Sequence, residues 1–198
     1  MDPETFIQLP LTYDPKTKTL TTPHPTTTDL ETELTALNTL HRSLISVHKD
    51  GHPPPPVPVD PKRSSQIQKL RESGNTALRK NDHAEAVKLY SLGINMAASR
   101  PLWEPSGLCR EELTQLYANR AQAYMAGNFW AEGAVDAQCS VELKKGQNGK
   151  AWWRRGRCLV EMGRVEEARE WIAEALEFEG PEAELVALME EIEKKGRK

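Results

Sequence analysis

Apolar residues recur along most of the chain at the spacing of an amphipathic helix. From about residue 64 onward they follow one another every three or four positions, as in Leu185, Leu188 and Ile192, and no stretch of useful length alternates as a strand would. An earlier apolar stripe begins at Leu30 and reaches Val47. The pattern predicts an all-α fold for the larger, C-terminal part of the chain.

The N-terminal part differs, because it also contains two short segments typical of extended strands. These are residues 6–11 and 17–22, and Asp14-Pro15-Lys16 between them predicts a turn. Thr28, followed three positions later by Glu31, matches a capping box and predicts a helix with Thr28 as its N-cap. We therefore expect a possible small hairpin followed by one helix.

The predicted N-terminal helix carries a wide leucine stripe for so small a unit. About 50 residues with one hairpin and one helix cannot bury that much apolar surface by themselves. The stripe either packs back onto the rest of the chain or docks a partner subunit, and the sequence leaves both readings open. The candidate partner-docking side chains are Leu30, Leu34, Leu37 and Leu44.

A proline-rich run, from His52 to Pro58, interrupts the helical pattern. Consecutive prolines favour the extended polyproline II conformation and cannot continue a helix. The run therefore predicts a linker over residues 51–63, between an N-terminal segment at 1–50 and a helical domain at 64–198.

Within the helical domain, small and large residues repeat at fixed offsets. Each unit begins with a glycine or alanine, and a second small residue follows twelve positions later. Two more residues, each small or bulky, then follow at the same distances in every unit. The three units carry Gly74, Ala86, Tyr90 and Gly93, then Ala121, Gly133, Ala137 and Ser140, then Gly156, Ala168, Ile172 and Ala175. This pattern is typical of tetratricopeptide repeats, in which two antiparallel helices cross closely at the small residues.

The spacing of the units predicts three helix pairs with one insertion. Ala121 and Gly156 lie about 35 residues apart, close to the usual period of about 34. Gly74 and Ala121 lie about 47 apart, so about 13 extra residues fall around the turn-like segment 101–107. A last amphipathic helix, predicted at 181–197 with Pro181 in its first turn, suits the capping helix that repeat arrays need.

Five polar residues fall on the first helices of the three pairs, which line the concave face of such an array. Residues four apart share one face of a helix, so each of two such pairs points the same way. We expect all five to face one groove: Arg71, Asn75, Asn119, Lys150 and Arg154.

These side chains offer hydrogen-bond donors, three of them with full positive charge. Their complement is a pair of neighbouring carboxylates, which a peptide ending in aspartate supplies from its side chain and its C-terminus. A single Lys or Arg on a helix usually serves solvation only. Two asparagines within helices are less easily explained that way, because asparagine is a poor helix former.

Composition narrows the function classes further. The formal net charge is -3 and the pI is about 6.0, which gives no reason to expect a nucleic-acid-binding protein. The 3 cysteines are widely spaced without a Cys-x-x-Cys motif, so neither a disulfide framework nor a zinc site is indicated. Neither a signal-peptide pattern nor an apolar run long enough to span a membrane is evident.

Neither a metal site nor a catalytic site is indicated by the remaining residue patterns. His48 and His52 have helical metal-ligand spacing, but Gly51 and Pro53 interrupt the helix and a third ligand is not evident, so we expect no metal site. A glycine-flanked nucleophile motif is also lacking, so we expect neither a cofactor nor catalytic residues. The sequence indicates a binding protein rather than an enzyme.

The five groove residues resemble the dicarboxylate clamp of co-chaperone tetratricopeptide domains. Those domains bind the Glu-Glu-Val-Asp tails of the seventy- and ninety-kilodalton heat-shock chaperones. The chain departs from the family at Arg71, where lysine is usual, so a planar guanidinium replaces a point charge. The resemblance does not fix which residues read the peptide upstream of its terminal aspartate, and Tyr124, Trp153 and Arg157 are the candidates.

The whole chain also resembles the soluble tetratricopeptide subunit of the fungal endoplasmic-reticulum Sec complex, which acts in post-translational translocation. The features that carry this resemblance are Leu11-Thr12-Tyr13, Lys18-Thr19-Leu20, the leucine-rich helix and Arg100-Pro101-Leu102-Trp103-Glu104. It implies that residues 1–50 dock onto a membrane-anchored Sec subunit at the cytosolic face of the membrane. The groove would then recruit cytosolic seventy-kilodalton chaperones that carry precursor proteins.

Two other functions stay open at this point. The chain could be a free cytosolic co-chaperone, in which case residues 1–50 would expose no apolar docking surface. It could also be a structural scaffold whose groove is vestigial, in which case an acidic C-terminal peptide would not bind.

Overall fold

The computed structural model describes residues 10–47 and 57–196, and the chain forms two compact units, Met1–Pro58 and Val59–Lys198. In the described residues the first unit holds two strands and one helix, and the second holds seven helices. In chain order they are β1 (Thr12–Asp14), β2 (Thr19–Thr21), α1 (Thr28–Val47), α2 (Pro61–Arg79), α3 (His83–Ala98), α4 (Ser106–Ala126), α5 (Trp130–Leu143), α6 (Gly149–Glu161), α7 (Val165–Glu179) and α8 (Ala183–Gly196).

The first unit contains the expected hairpin, but its first strand is displaced. β1 pairs antiparallel with β2 so that Tyr13 faces Leu20, whereas the sequence pattern placed that strand at 6–11. The reason lies in the turn, where the Asp14 carboxylate accepts hydrogen bonds from the Lys16 amide at 2.8 Å and the Thr17 hydroxyl at 2.7 Å. This tight turn makes the residues directly flanking it pair. Residues 6–9 of the expected strand lie outside the described residues.

Helix α1 packs on the hairpin through one asparagine. The Asn38 side chain accepts a hydrogen bond from the Leu20 amide at 2.7 Å and donates one to the Leu20 carbonyl at 2.9 Å, as a neighbouring strand would. The rings of Tyr13 and His41 also meet edge to face, with centroids 5.3 Å apart. These contacts tie the helix to the hairpin within the unit.

The N-cap of α1 lies one residue earlier than expected. The Thr27 hydroxyl accepts from the Leu30 amide at 3.3 Å, and Thr28 is already inside the helix. The Glu31 carboxylate accepts a hydrogen bond from the Thr26 hydroxyl at 2.6 Å instead of closing a box with Thr28. Three consecutive threonines offer similar capping groups, so the pattern could not separate them.

The first and last helices of the second unit begin at other residues than expected. Helix α2 begins at Pro61, three residues before 64, because Asp60 caps it by accepting from the Lys62 amide and Pro61 fits the first helical position. Helix α8 begins at Ala183, and Pro181 precedes it rather than occupying its first turn, since the Val186 amide bonds the Glu182 carbonyl.

The seven helices of the second unit form three antiparallel pairs, α2/α3, α4/α5 and α6/α7, followed by α8. Every small or bulky residue that defined the repeat is buried at these helix crossings. The approach is so close that a Cβ added to Gly74 would lie 2.5 Å from Cε1 of Tyr90, and one added to Gly156 would lie 2.5 Å from Cδ1 of Ile172. The predicted all-α fold of three repeats with a capping helix is confirmed.

The core of the third repeat is built around Trp152, whose side chain is fully buried. The centroid of its ring lies 4.3 Å from that of Trp171 and 6.0 Å from that of Phe178. Its indole N–H donates a hydrogen bond to the Lys145 carbonyl at 2.9 Å. Helix α8 closes this core with Leu185, Leu188 and Ile192. The indole partner explains why so large an aromatic residue is buried without an unsatisfied donor.

The insertion after the first repeat is partly helical. A loop joins Ala98 to Ser106, and α4 then begins about two turns earlier, relative to its repeat, than α6 does. Arg100, only 7% exposed, fixes the loop, because its guanidinium binds Glu112 at 2.8 and 2.7 Å, the Glu104 carboxylate and the Ser64 hydroxyl. The insertion therefore places the extra turns of α4 beside α2.

A second, half-buried arginine joins the first two repeats. The Arg120 guanidinium on α4 donates to both Asp136 carboxylate oxygens on α5, at 2.7 and 2.8 Å, and to the Ser91 hydroxyl on α3 at 2.8 Å. Asp136 is 4% exposed, so this ion pair is shielded from water.

None of the described helices has the length and apolar character that crossing a membrane requires.

Candidate peptide-binding groove

The concave face of the second unit is a groove of about 1520 Å³, lined by α2, α4, α6 and the start of α8. Four of the five residues predicted for the clamp line it, namely Arg71, Asn119, Lys150 and Arg154. The fifth, Asn75, is bonded directly to Asn119. The helices thus bring the five side chains to one region, each from the first helix of a repeat.

The two asparagines form a hydrogen-bonded pair that joins the first and second repeats. The Asn119 amide nitrogen donates to the Asn75 carbonyl oxygen at 3.1 Å. The same oxygen accepts a second hydrogen bond, at 2.6 Å, from the hydroxyl of Tyr90 on α3. The carbonyl of Asn75 is therefore occupied twice, which leaves its amide nitrogen available as a donor.

Arg154 is a half-buried cation held by a neutral partner. Its Nε donates to the Gln122 side-chain oxygen on α4 at 2.9 Å, which orients the guanidinium across the groove. Burial lowers the pKa of Arg154, and Tyr90 and Glu184 oppose that effect. Since an arginine stays protonated in proteins, the direction of the shift means that the charge lacks full solvation.

Several cations that line the groove have no acidic partner within the described part of the chain, and Arg110 and Lys144 share this property with the three clamp cations. Arg71, Lys150 and Arg154 form no ion pair with any acidic residue that the structure describes. By contrast, Arg157 pairs with Glu161 and Glu191, each at 2.7 Å, and Lys145 pairs with Glu174 at 3.1 Å. Three unpaired positive charges and two amide groups therefore meet in a single concave site, which favours an anionic ligand.

Acidic side chains also border the groove, and two of them are engaged by the start of α6. Glu179 accepts hydrogen bonds from the amides of Gln147 at 3.0 Å and Asn148 at 2.6 Å. The Glu182 carboxylate lies so close to Gly149 that a side chain there would overlap it. These carboxylates stabilise the N-terminal end of α6 and do not neutralise Lys150 or Arg154 by direct contact.

The candidates for upstream peptide recognition lie elsewhere. Tyr124 contacts Phe129, with ring centroids 6.4 Å apart, and lies under the Arg120 guanidinium. Trp153 packs against the cores of the second and third repeats. Arg157 is the one of the three that reaches α8, and its charge is already paired there. The structure engages the two aromatic candidates in helix packing.

Some residues around the clamp are not among those predicted for it from the sequence. Gln122 and Tyr90 bind clamp side chains directly, and the extra turns of α4 add Gly107, Arg110 and Glu111 to the lining. Gln122 lies three positions after Asn119, on the same helix face, so helical spacing could have found it. Arg110 and Glu111 depend on where the insertion becomes helical, which periodicity does not specify.

The predicted docking leucines lie in the first unit. Among its described side chains none is buried, and Leu30 and Leu34 are half-buried while Leu37 is 37% exposed. Leu11 and Tyr13 of the hairpin are also exposed. The side chain of Leu44, the remaining candidate, lies outside the described residues, as do His48 and His52.

Three helix pairs and a capping helix define a tetratricopeptide-repeat protein, and residues 149–180 match the family model described as "Tetratricopeptide repeat". Among curated proteins, the chain is 36% identical over 140 residues to the "ER protein translocation subcomplex subunit sec67" of Schizosaccharomyces pombe. That alignment covers 69% of this chain and 72% of the relative. The chain therefore belongs to the sec67 family of tetratricopeptide subunits of the fungal Sec complex.

Two further similarities agree with this assignment. One chain in the cryo-EM structure of the Sec complex from S. cerevisiae matches 95% of this chain and 98% of its own length, with a TM-score of 0.69 and 26% identity. The "Heat-shock protein cognate (HSC) co-chaperone sgt12" of Aspergillus fumigatus is 27% identical over 115 residues, which cover 58% of this chain and 30% of that protein. The predicted family resemblance is confirmed.

Proposed function

We propose that this chain is an adaptor of the endoplasmic-reticulum translocation machinery whose groove binds the acidic C-terminal tail of a cytosolic seventy-kilodalton heat-shock chaperone. The observation that carries the proposal is the convergence of three unpaired cations, Arg71, Lys150 and Arg154, on the Asn75–Asn119 pair. A peptide that ends in aspartate presents two carboxylates close together, one for each side of this arrangement. The proposal gives the chain no catalytic role.

The energetics suit a reversible adaptor. Each charge-assisted hydrogen bond contributes about 1.5–3 kcal/mol, and several of them form at the clamp. Ordering of the peptide and loss of its rigid-body freedom oppose this gain. A net binding free energy near -8 kcal/mol, which corresponds to a micromolar Kd, is the expected balance. Binding of this strength lets a chaperone arrive, release its precursor and leave.

The relatives support both halves of the proposal. The name of the S. pombe relative places that protein in an endoplasmic-reticulum translocation subcomplex, and the A. fumigatus relative is named as a co-chaperone. A groove that binds a chaperone tail, in a subunit that belongs to the translocon, would bring chaperone-bound precursors to the channel. This combination favours the adaptor over a free cytosolic co-chaperone or a scaffold with a vestigial groove.

A direct titration tests the groove. We expect the full chain to bind a labelled peptide ending in Glu-Glu-Val-Asp with a Kd of order micromolar at low salt. Raising the salt concentration from about 50 to about 200 mM should weaken binding several-fold, because the contacts are ionic and the groove is open to water. Absence of binding at the lower salt concentration would reject the chaperone function and leave the scaffold.

The first unit would supply the attachment. None of its described side chains is buried, and Leu37, Leu11 and Tyr13 are exposed, so apolar groups are available to a partner. Docking onto a membrane-anchored Sec subunit would cover that surface. The chain would then work at the cytosolic face of the membrane, held there through its partner.

Polar substitution of the leucine stripe tests this attachment. The variant Leu34→Ser/Leu37→Ser should lose most of its co-sedimentation with microsomes that lack their own copy of this subunit, while its peptide affinity stays unchanged. Ala36→Ser/Thr39→Ser, on the polar side of α1, is the matched control and should bind the microsomes normally. Unchanged microsome binding by the leucine variant contradicts the docking role. A lowered unfolding temperature of the second unit would instead favour packing of the stripe onto the repeats.

A further inference from the structure

Tyr90 is a residue of α3, the helix that faces away from the groove, yet its hydroxyl reaches the clamp. Its side chain is 0% exposed, and the ring fills the space left by Gly74 at the α2/α3 crossing. The hydroxyl reaches α2 and donates to the Asn75 carbonyl oxygen at 2.6 Å. Packing of the ring therefore fixes the position of a hydrogen-bond donor under the clamp.

The contact determines which end of the Asn75 amide faces a ligand. An amide carbonyl has two acceptor sites, and here Tyr90 takes one while Asn119 takes the other at 3.1 Å. The Asn75 nitrogen, on the opposite end of the amide, accepts nothing and can only donate. No described residue takes a hydrogen bond from it. Its two N–H groups are therefore left for an incoming acceptor.

We propose that Tyr90 is a positioning residue that locks the amide of Asn75 with its donor end toward the ligand carboxylate, a role that rests on the peptide-binding function proposed above. Without the hydroxyl, only the longer hydrogen bond from Asn119 holds the Asn75 carbonyl, so the amide more readily rotates and presents its carbonyl oxygen to the carboxylate. Two acceptors would then face each other, and the hydrogen bond to the ligand would be replaced by repulsion. The residue acts through Asn75 and does not touch the peptide.

The surroundings keep the Tyr90 hydroxyl in its donor form. Burial raises the pKa of the Tyr90 phenol, and the guanidinium groups of Arg154 and Arg71 only partly oppose this rise. Arg79 opposes the rise as well. The phenol therefore stays protonated at neutral pH and must donate to its partner.

Two single variants and their combination test this role. Tyr90→Phe removes the hydroxyl and keeps the buried ring, so the fold should persist, and its affinity for the Glu-Glu-Val-Asp peptide should fall about three- to tenfold. The effect should disappear when Asn75 is already replaced, so that Tyr90→Phe/Asn75→Ala binds no more weakly than Asn75→Ala. Tyr117→Phe removes a partly buried tyrosine hydroxyl from α4 and is the matched control, with wild-type affinity expected.

A measurement without peptide separates this inference from the proposed function. In the free protein, Tyr90→Phe should shift the NMR signals of the Asn75 side-chain amide, assigned through Asn75→Ala, and Tyr117→Phe should leave them in place. Unmoved signals in Tyr90→Phe overturn the inference whether or not the peptide binds. Wild-type affinity in Tyr90→Phe, or losses that add fully in the double variant, overturn it as well. Absence of peptide binding by the wild type rejects the proposed function, and the amide signals still decide the role of Tyr90.

Discussion

Replacing Lys150 and Arg154 together with alanine is expected to weaken binding of an acidic C-terminal peptide by about 100-fold or more. Both side chains are free of ion pairs among the described residues, and they lie four positions apart on one face of α6. Removing two charge-assisted hydrogen bonds of about 1.5–3 kcal/mol each accounts for a loss of this size. Isothermal titration or fluorescence polarisation at one fixed salt concentration measures it.

The matched control for this variant removes the same two charges elsewhere. Lys88 on α3 is exposed and Arg169 on α7 is partly exposed, and both pair only within their own helices, at 3.3 Å with Glu85 and 2.6 Å with Glu166. Lys88→Ala/Arg169→Ala should retain the wild-type Kd within about a factor of two. Equal losses in the two variants would mean that the overall charge, and not the clamp, attracts the peptide.

Replacing Asp136 with alanine is expected to give the largest loss of stability among single substitutions outside the apolar core. It leaves the Arg120 guanidinium, which is bonded to α3 and α5, without its carboxylate in a shielded position. Removing one partner of a buried ion pair costs about 3–5 kcal/mol, since the other charge stays unpaired. The midpoint of urea unfolding should fall accordingly, and a loss below about 1 kcal/mol would show that water reaches this pair.

An exposed ion pair provides the comparison. Glu167 binds Arg164 at 2.5 Å at the start of α7, and both side chains are half exposed. Glu167→Ala should leave the unfolding midpoint nearly unchanged, because solvent screens such pairs. A difference between the two variants therefore measures the effect of burial on otherwise similar Arg–carboxylate pairs.

The repeat architecture could be predicted because it depends on few, strongly constrained positions. Close helix crossings admit only small residues, so Gly74, Ala137 and Gly156 mark the repeats in the sequence as clearly as in the structure. The positions of these small residues also predict where the first helix of each pair lies. The five clamp residues could be located on those helices as a result. Helical spacing was then sufficient to predict that they share a concave face.

Features that depend on competition between similar local groups could not be predicted. Thr26, Thr27 and Thr28 are equivalent as capping residues by type, and only the structure selects Thr27. The length of α4 depends on tertiary contacts of Arg100 with Glu112 and Ser64, which are distant in the sequence. Tertiary contacts of this kind override local preference and leave no periodic signal.

The surroundings of the clamp show the same limit. Trp153 is packed between two cores rather than at the groove, because the large residues of a repeat mainly fill the space between helices. The reverse holds for Tyr90, which the sequence predicts only as part of the repeat core. Its hydroxyl also donates a hydrogen bond to the clamp residue Asn75. Residue type does not distinguish these roles, whereas the direction of each side chain on its helix does.

Comparison of two peptides that differ only at the C-terminus tests the central claim most directly. Both end in the sequence Glu-Glu-Val-Asp, one with a free carboxylate and the other with a carboxamide. If Arg71, the asparagine pair and Lys150/Arg154 hold the two terminal carboxylates, the free acid binds with a Kd of order micromolar and the amide binds at least about 30-fold more weakly. Equal affinity for the two peptides would contradict the clamp, since binding would then depend on the acidic side chains without recognition of the chain end.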